Sequence, residues 1–111
     1  KMGLNLSRGQ AIKYYSSDRI TQIVGNGLVC LIDEKTQYKD FFDDSEMVFY
    51  KNINDLSEKI LKISRDEKLR KSIARRGKSK YIKYFNSTLV ADFIINKTLG
   101  RHGKKRFLWE K

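Results

Sequence analysis

The stretch "SSDRITQIVGNGLVCLID", Ser16 to Asp33, decides the fold. Ser16 and Ser17 are both residue types that start helices. Ile20, Ile23 and Val24 then recur at helical spacing, and Gly25 and Gly27 around Asn26 supply a stop. This predicts a helix of about two turns. "LVCLID" follows as an unbroken apolar run, the pattern of a strand covered on both faces in a parallel sheet. Upstream, "GLNLS" (Gly3 to Ser7) alternates apolar and polar residues and reads as a strand. Strand, helix, strand is a βαβ unit, and the expected fold class is α/β: a parallel sheet flanked by helices, with a helical carboxy-terminal part.

Working outward, "RGQAIKYY" has no period and is assigned to a loop. "EKTQYKDFFDDSE" is polar apart from Phe41 and Phe42, which are expected to plug the edge of the core. "MVFY" is a further short strand. Asn52 or Asn54 caps a helix carrying Leu56, Ile60 and Ile63 on one face, Arg65 to Glu67 interrupt, and Leu69, Ile73, Gly77 and Tyr81 mark the next helix. A glycine inside a helix costs roughly 1 kcal/mol relative to alanine, so Gly77 on the inner face implies a close neighbour. Asn86 or Ser87 starts a last helix with Leu89, Phe93 and Ile94 expected inward. Residues 1–100 are read as one domain. Residues 101–111, "RHGKKRFLWEK", are read as a basic tail, expected to be poorly ordered or an appended sequence.

Composition narrows the function classes. The chain has 111 residues, enough for one small core but too few for two lobes around a cleft, and its abrupt strand-like opening is read as part of a longer protein. A formal charge of +11 favours an anionic partner, which covers nucleic acid, a membrane surface and a phosphorylated small molecule alike. Cys30 is the sole cysteine, so an intrachain disulfide is excluded, and a cytoplasmic setting is expected. No apolar run approaches the length needed to cross a bilayer. His102 is the sole histidine and lies in the tail, which argues against histidine-based catalysis in the core. Asp40, Asp43, Asp44 and Glu46 form an acidic loop whose spacing matches no defensible metal motif, and no metal cofactor is expected.

A helix that begins at the carboxyl edge of a parallel sheet points free N–H groups and a partial positive charge into the crevice, where an anion such as a diphosphate fits. Ser16 and Ser17 offer hydroxyls there, Arg19 a planar guanidinium suited to phosphate oxygens, and Gln22 lies one turn further along. A capped core helix with a surface arginine is the plainer alternative from pattern alone.

"SDRITQIVGNGLVCLID" resembles the carboxy-terminal half of bacterial GT-B glycosyltransferases, whose pattern runs Ser-x-Arg-x-x-Glu-Ala-x-Ala-x-Gly into an apolar strand. Ser17, Arg19 and Gly27 carry that match. Downstream, Asp55, Leu56, Leu69, Arg70, Ile73, Ala74 and Gly77 carry a second, similar to the same group's "DL" helix and "LR-x-x-IA-x-x-G" helix. The resemblance spans about Gly3 to Gly100. It implies a Rossmann-like domain that binds a nucleotide-sugar donor through Ser16, Ser17, Arg19 and Gln22, with the acceptor domain upstream and the fragment inactive alone. It implies transfer to a glycan or lipid-linked acceptor, as in cell-envelope polysaccharide synthesis, at the inner face of the membrane. Gln22 replaces the glutamate that contacts ribose in that group, and Tyr14 stands where related families carry an earlier glutamate; no catalytic residue is assigned. Self-association and peripheral contact with an anionic membrane are further expectations. The rivals are a basic nucleic-acid-binding module, disfavoured because the cations from Arg65 to Lys83 are spread around their helix, and a noncatalytic scaffold of the same fold.

Overall fold

The computed structural model describes residues 1–6, 9–15, 17–101 and 107–110. Strand β1 (Met2–Asn5) leads through a loop to helix α1 (Asp18–Gly25), which returns to β2 (Val29–Asp33). Two single 3-10 turns, Glu34–Thr36 and Tyr38–Asp40, lie before β3 (Val48–Tyr50). Helices α2 (Ile53–Arg65), α3 (Glu67–Tyr84) and α4 (Ser87–Thr98) complete the described elements. The sheet order is β1-β2-β3 and both pairings are parallel, with Gly3 opposite Cys30 and Leu31 opposite Val48. The chain is therefore α/β with a parallel sheet between helices and a helical carboxy-terminal part, as its hydrophobic pattern predicts.

The run "VCLID" lacks polar alternation because both faces of β2 are covered. Cys30 and Ile32 pack with Ile20, Ile23 and Val24 of α1, while Val29 and Leu31 pack with Ile63 of α2 and Ile73 and Ala74 of α3. At about 1.5 Å rise per residue the long α3 spans some 27 Å, enough to serve both layers. Its amino-terminal half joins the second cluster, whereas Tyr81 packs against the first and its hydroxyl lies 2.7 Å from Thr21 Oγ1 of α1.

Close approach explains two glycines. A Cβ on Gly3 would lie 2.6 Å from Cγ1 of Ile23, so β1 admits α1 against its backbone only because that position is bare. At Gly77 a Cβ would lie 2.3 Å from the carbonyl oxygen of Glu46, which is the neighbour the sequence implied. α3 is seated on the acidic loop there, and Lys80 clamps the contact with a 2.9 Å ion pair to Glu46.

Helix starts follow side-chain chemistry. Asn52, Asp66 and Asn86 each accept from the N–H three residues on, at 2.9 to 3.0 Å, and so satisfy one orphan donor of α2, α3 and α4. Asp55 reaches back to the N–H of Lys51 at 2.9 Å and extends the cap of α2. α1 stops at Gly25, with Gly27 at φ +71° turning the chain into β2. One expectation fails in α4: Ile94 is 56% exposed, and no residue of this helix is buried. The helix instead meets the chain's far end, where Phe107 is buried and packs edge-on to Phe93 with centroids 5.3 Å apart. His102 lies outside the described residues.

Candidate functional site

All three strands point their carboxyl ends the same way, so the β1–α1 loop, the β2–β3 loop and the start of α2 share one edge of the sheet. α1 opens at this edge. Ser17 occupies its N-cap position with extended backbone, φ −117° and ψ 163°, but makes no side-chain cap. Its hydroxyl instead lies 3.4 Å from Oδ1 of Asn5, the last residue of β1 and only 5% exposed. α1 is thus the one α-helix among the described residues whose first turn lacks a side-chain cap.

Arg19 is exposed, and its guanidinium donates to the carbonyl of Leu6 at 2.7 Å, just past β1. That bond uses one of five donors in the fork and holds the cation beside the strand ends. Gln22 is exposed one turn on, and its backbone carbonyl accepts from the side-chain amide of Asn26 at 2.6 Å. The structure therefore places Ser17 and Arg19 at that edge, while Gln22 lies further along α1, with its backbone carbonyl bonded at the helix's carboxyl end. Ser16, assigned to the same site, lies outside the described residues.

Two neighbours were not legible in the sequence. Asn5 is a buried amide at the strand end, and its only signal is a polar residue closing an apolar strand. Tyr14 adopts φ +56°, a left-handed conformation that L side chains seldom take. It is held by its N–H donating to Thr36 at 2.9 Å and by its hydroxyl donating to Asp40. The hydrogen bond to Asp40, with some burial and the carboxylate's charge, raises the phenol above its ordinary value. These bonds tie the β1–α1 loop to the β2–β3 loop. At the end of β3, burial first and the nearby Asp33 second also raise Tyr50.

The acidic loop is knitted internally. Asp43 accepts from both the N–H and the hydroxyl of Ser45, at 2.8 and 2.5 Å, and these bonds hold its carboxyl below the usual range. Glu46 accepts from the N–H of Asp43 at 3.0 Å as well as from Lys80. Among the described residues no three His, Cys, Asp or Glu side chains converge as metal ligands would.

A second feature lies at the opposite, amino edge of the sheet. A groove of about 600 Å³ runs between Gly27 and Leu28 on one side and Arg70, Lys71, Arg75 and Lys78 of α3 on the other. Four cations that look scattered in sequence thus share one groove, but two are already engaged. Arg70 donates to the carbonyls of Ile63 and Ser64 at the end of α2, at 3.2 and 3.1 Å, and Lys71 pairs with Glu67 at 2.8 Å.

A parallel three-stranded sheet with a helix opening at its carboxyl edge and helices on both faces places the chain among α/β proteins. Residues 1–96 match the model of the family described as glycosyl transferase-like. The chain belongs to that family, and its function is glycosyltransferase-related. No curated protein and no solved structure matches it. Among the described residues no helix is long and apolar enough to cross a membrane.

Proposed function

We propose that the chain is the donor-binding part of a GT-B glycosyltransferase that moves a sugar from a nucleotide-sugar to a glycan or lipid-linked acceptor, and that it is inactive without an acceptor-binding lobe supplied from outside this chain. The observation that carries this is Arg19, held by the Leu6 carbonyl at the carboxyl edge of the sheet, beside the uncapped start of α1. First-turn N–H groups without a side-chain cap and a guanidinium are donors a diphosphate can use, and charge on the departing nucleotide is what they offset during transfer. Gln22 offers a neutral acceptor to the ribose. No metal is required by this arrangement, and the nucleotide-sugar enters as substrate. Support for the GT-B assignment comes from the family match and from the strand order, since three adjacent parallel strands in sequence order are one half of a doubly wound sheet.

The same reading extends to partners and place. The outer edge of β1 has no strand partner among the described residues and suits either the rest of a larger sheet or a second copy. The cations of α3 suit peripheral contact with an anionic membrane from its cytoplasmic side.

Titrating UDP and GDP, and separately a short DNA duplex, at two salt concentrations tests the assignment. We expect nucleoside diphosphate binding that survives the higher salt and falls by about tenfold to a hundredfold in Arg19→Ala, the loss of a charge-assisted contact. Binding to DNA alone, with a steep salt slope, would instead establish the nucleic-acid module, for which the groove lined by Arg75 and Lys78 is the one favourable feature. Against that rival, Tyr81 and Phe85 stack on each other at 5.5 Å and pack against the core, which withdraws both rings from a platform for bases. Failure to bind either would leave the noncatalytic scaffold.

A further inference from the structure

Away from Arg19, the far end of the chain helps to build a cavity. It measures about 390 Å³, and its walls include Tyr14, Phe42, Phe85, Phe93, Ile94 and Trp109. The rings brace one another: Phe85 stacks on Phe42 at 5.5 Å and meets Trp109 at 5.6 Å, and Trp109 meets Phe93 edge-on at 5.6 Å. A space of this size is within the range of small-molecule sites, and its walls are almost wholly apolar.

The polar groups decide what kind of molecule fits. Of the three tyrosines on the walls, Tyr14, Tyr38 and Tyr81, the hydroxyl of Tyr14 is engaged with Asp40 and that of Tyr81 with Thr21. A sugar or other polyhydroxylated guest would lose its water without recovering hydrogen bonds from these hydroxyls, a poor exchange. At the margin, however, three ammonium groups rest on wall rings: Lys13 lies 4.8 Å from the centroid of Tyr14, Lys80 5.4 Å from Phe42 and Lys97 5.6 Å from Phe93. Lys80 and Lys97 are paired with Glu46 and Glu110, whereas Lys13 has no carboxylate partner among the described residues. An apolar interior with an ammonium group resting on a wall ring and in no ion pair among the described residues matches a molecule with one hydrocarbon chain and one anionic head.

We propose that this cavity binds a single-chain anionic amphiphile, with the chain among the rings and the head at Lys13. The proposal stands whether or not the donor reading does, because it uses none of Ser17, Arg19 and Gln22. Trp109 is the only tryptophan in the chain and lines the cavity, so its emission reports occupancy directly.

The test titrates the full chain with decanoate, and with decanol as the neutral match in length, while following Trp109 emission. We expect a saturable change with one decanoate per chain and weaker binding of decanol. Lys13→Glu should weaken decanoate about tenfold and leave decanol little changed, as reversal of one charge near the head requires. Val90→Phe, which fills the cavity from α4, should abolish the saturable change for both ligands while circular dichroism remains native. If that variant does not fold, Lys13→Glu, at an exposed position, decides alone. The proposal is overturned if decanoate gives no saturable change, if decanol binds equally well, or if Lys13→Glu is indifferent. It is equally overturned if Trp109 emission changes with protein concentration alone, since a second copy would then be the occupant.

Discussion

Gln22 shows how one side chain can set affinity. A charge-assisted hydrogen bond is roughly twice as strong as a neutral one, so under the donor reading Gln22→Glu should tighten nucleoside diphosphate binding about fivefold or more. Calorimetric titration of the two proteins checks this, and equal affinity would place the ribose elsewhere. Cys30 illustrates the opposite case, a group silenced by its surroundings. Burial pushes its thiol up from 9.0 to about 12, so the neutral thiol is favoured in the fold. The stability tied to that neutrality is complete below pH 9.0 and is lost as pH rises toward 12. The native chain should therefore resist iodoacetamide at pH 8 and react readily in denaturant. Gly77 was legible because a helix rarely keeps a glycine without reason. Replacing it with alanine gains about 1 kcal/mol of helix propensity but drives Cβ into the backbone of Glu46, so Gly77→Ala should cost about 2 kcal/mol net in urea unfolding. Tyr14 was not legible, since nothing in a tyrosine's identity announces a left-handed backbone fixed by partners in a distant loop.

Among the helices, capping separates cleanly into two groups. Asn52→Ala, Asp66→Ala and Asn86→Ala each remove a side-chain acceptor from a first turn and should cost about 1 kcal/mol apiece in thermal or urea melts. Ser17→Ala should cost less than any of them, because its hydroxyl serves Asn5 instead of the helix. Asp55 adds a pH signature. The N–H of Lys51, then Lys59, holds its carboxyl below 3.8, so its contribution is present above that value and disappears as pH falls through the lowered pKa. The elements themselves were readable from periodicity: α1, β2, β3, α2 and α3 all fall where apolar spacing and cap residues put them. α4 was readable as a helix but not in its orientation. Leu89, Phe93 and Ile94 fit a buried stripe, yet the surface that meets this helix is made by Phe107 and Trp109, from a segment whose basic composition marked it as a tail.

Taken together, the chain carries a charge of +11 in a fold whose acidic groups are largely committed to local bonds, so cation repels cation across its surface. Screening shortens the reach of that repulsion to about 8 Å at physiological ionic strength. Raising sodium chloride from low to moderate concentration should therefore raise the melting temperature by several degrees, and a fall would show that attractive pairs dominate instead. The candidate site is split in how far it could be read: the helix, its arginine and the strand edge follow from local pattern, whereas the Asn5 contact and the Tyr14 bridge need the fold to bring them together. β2 is the one strand with a neighbour on either side and side chains sealed above and below, while α4 buries none of its own. Local opening is therefore unequal along the chain. In deuterium oxide the amides of Leu31 and Ile32 should be the last to gain mass, long after those of α4 have exchanged, so that the last helix can peel off and rejoin while the central strand holds.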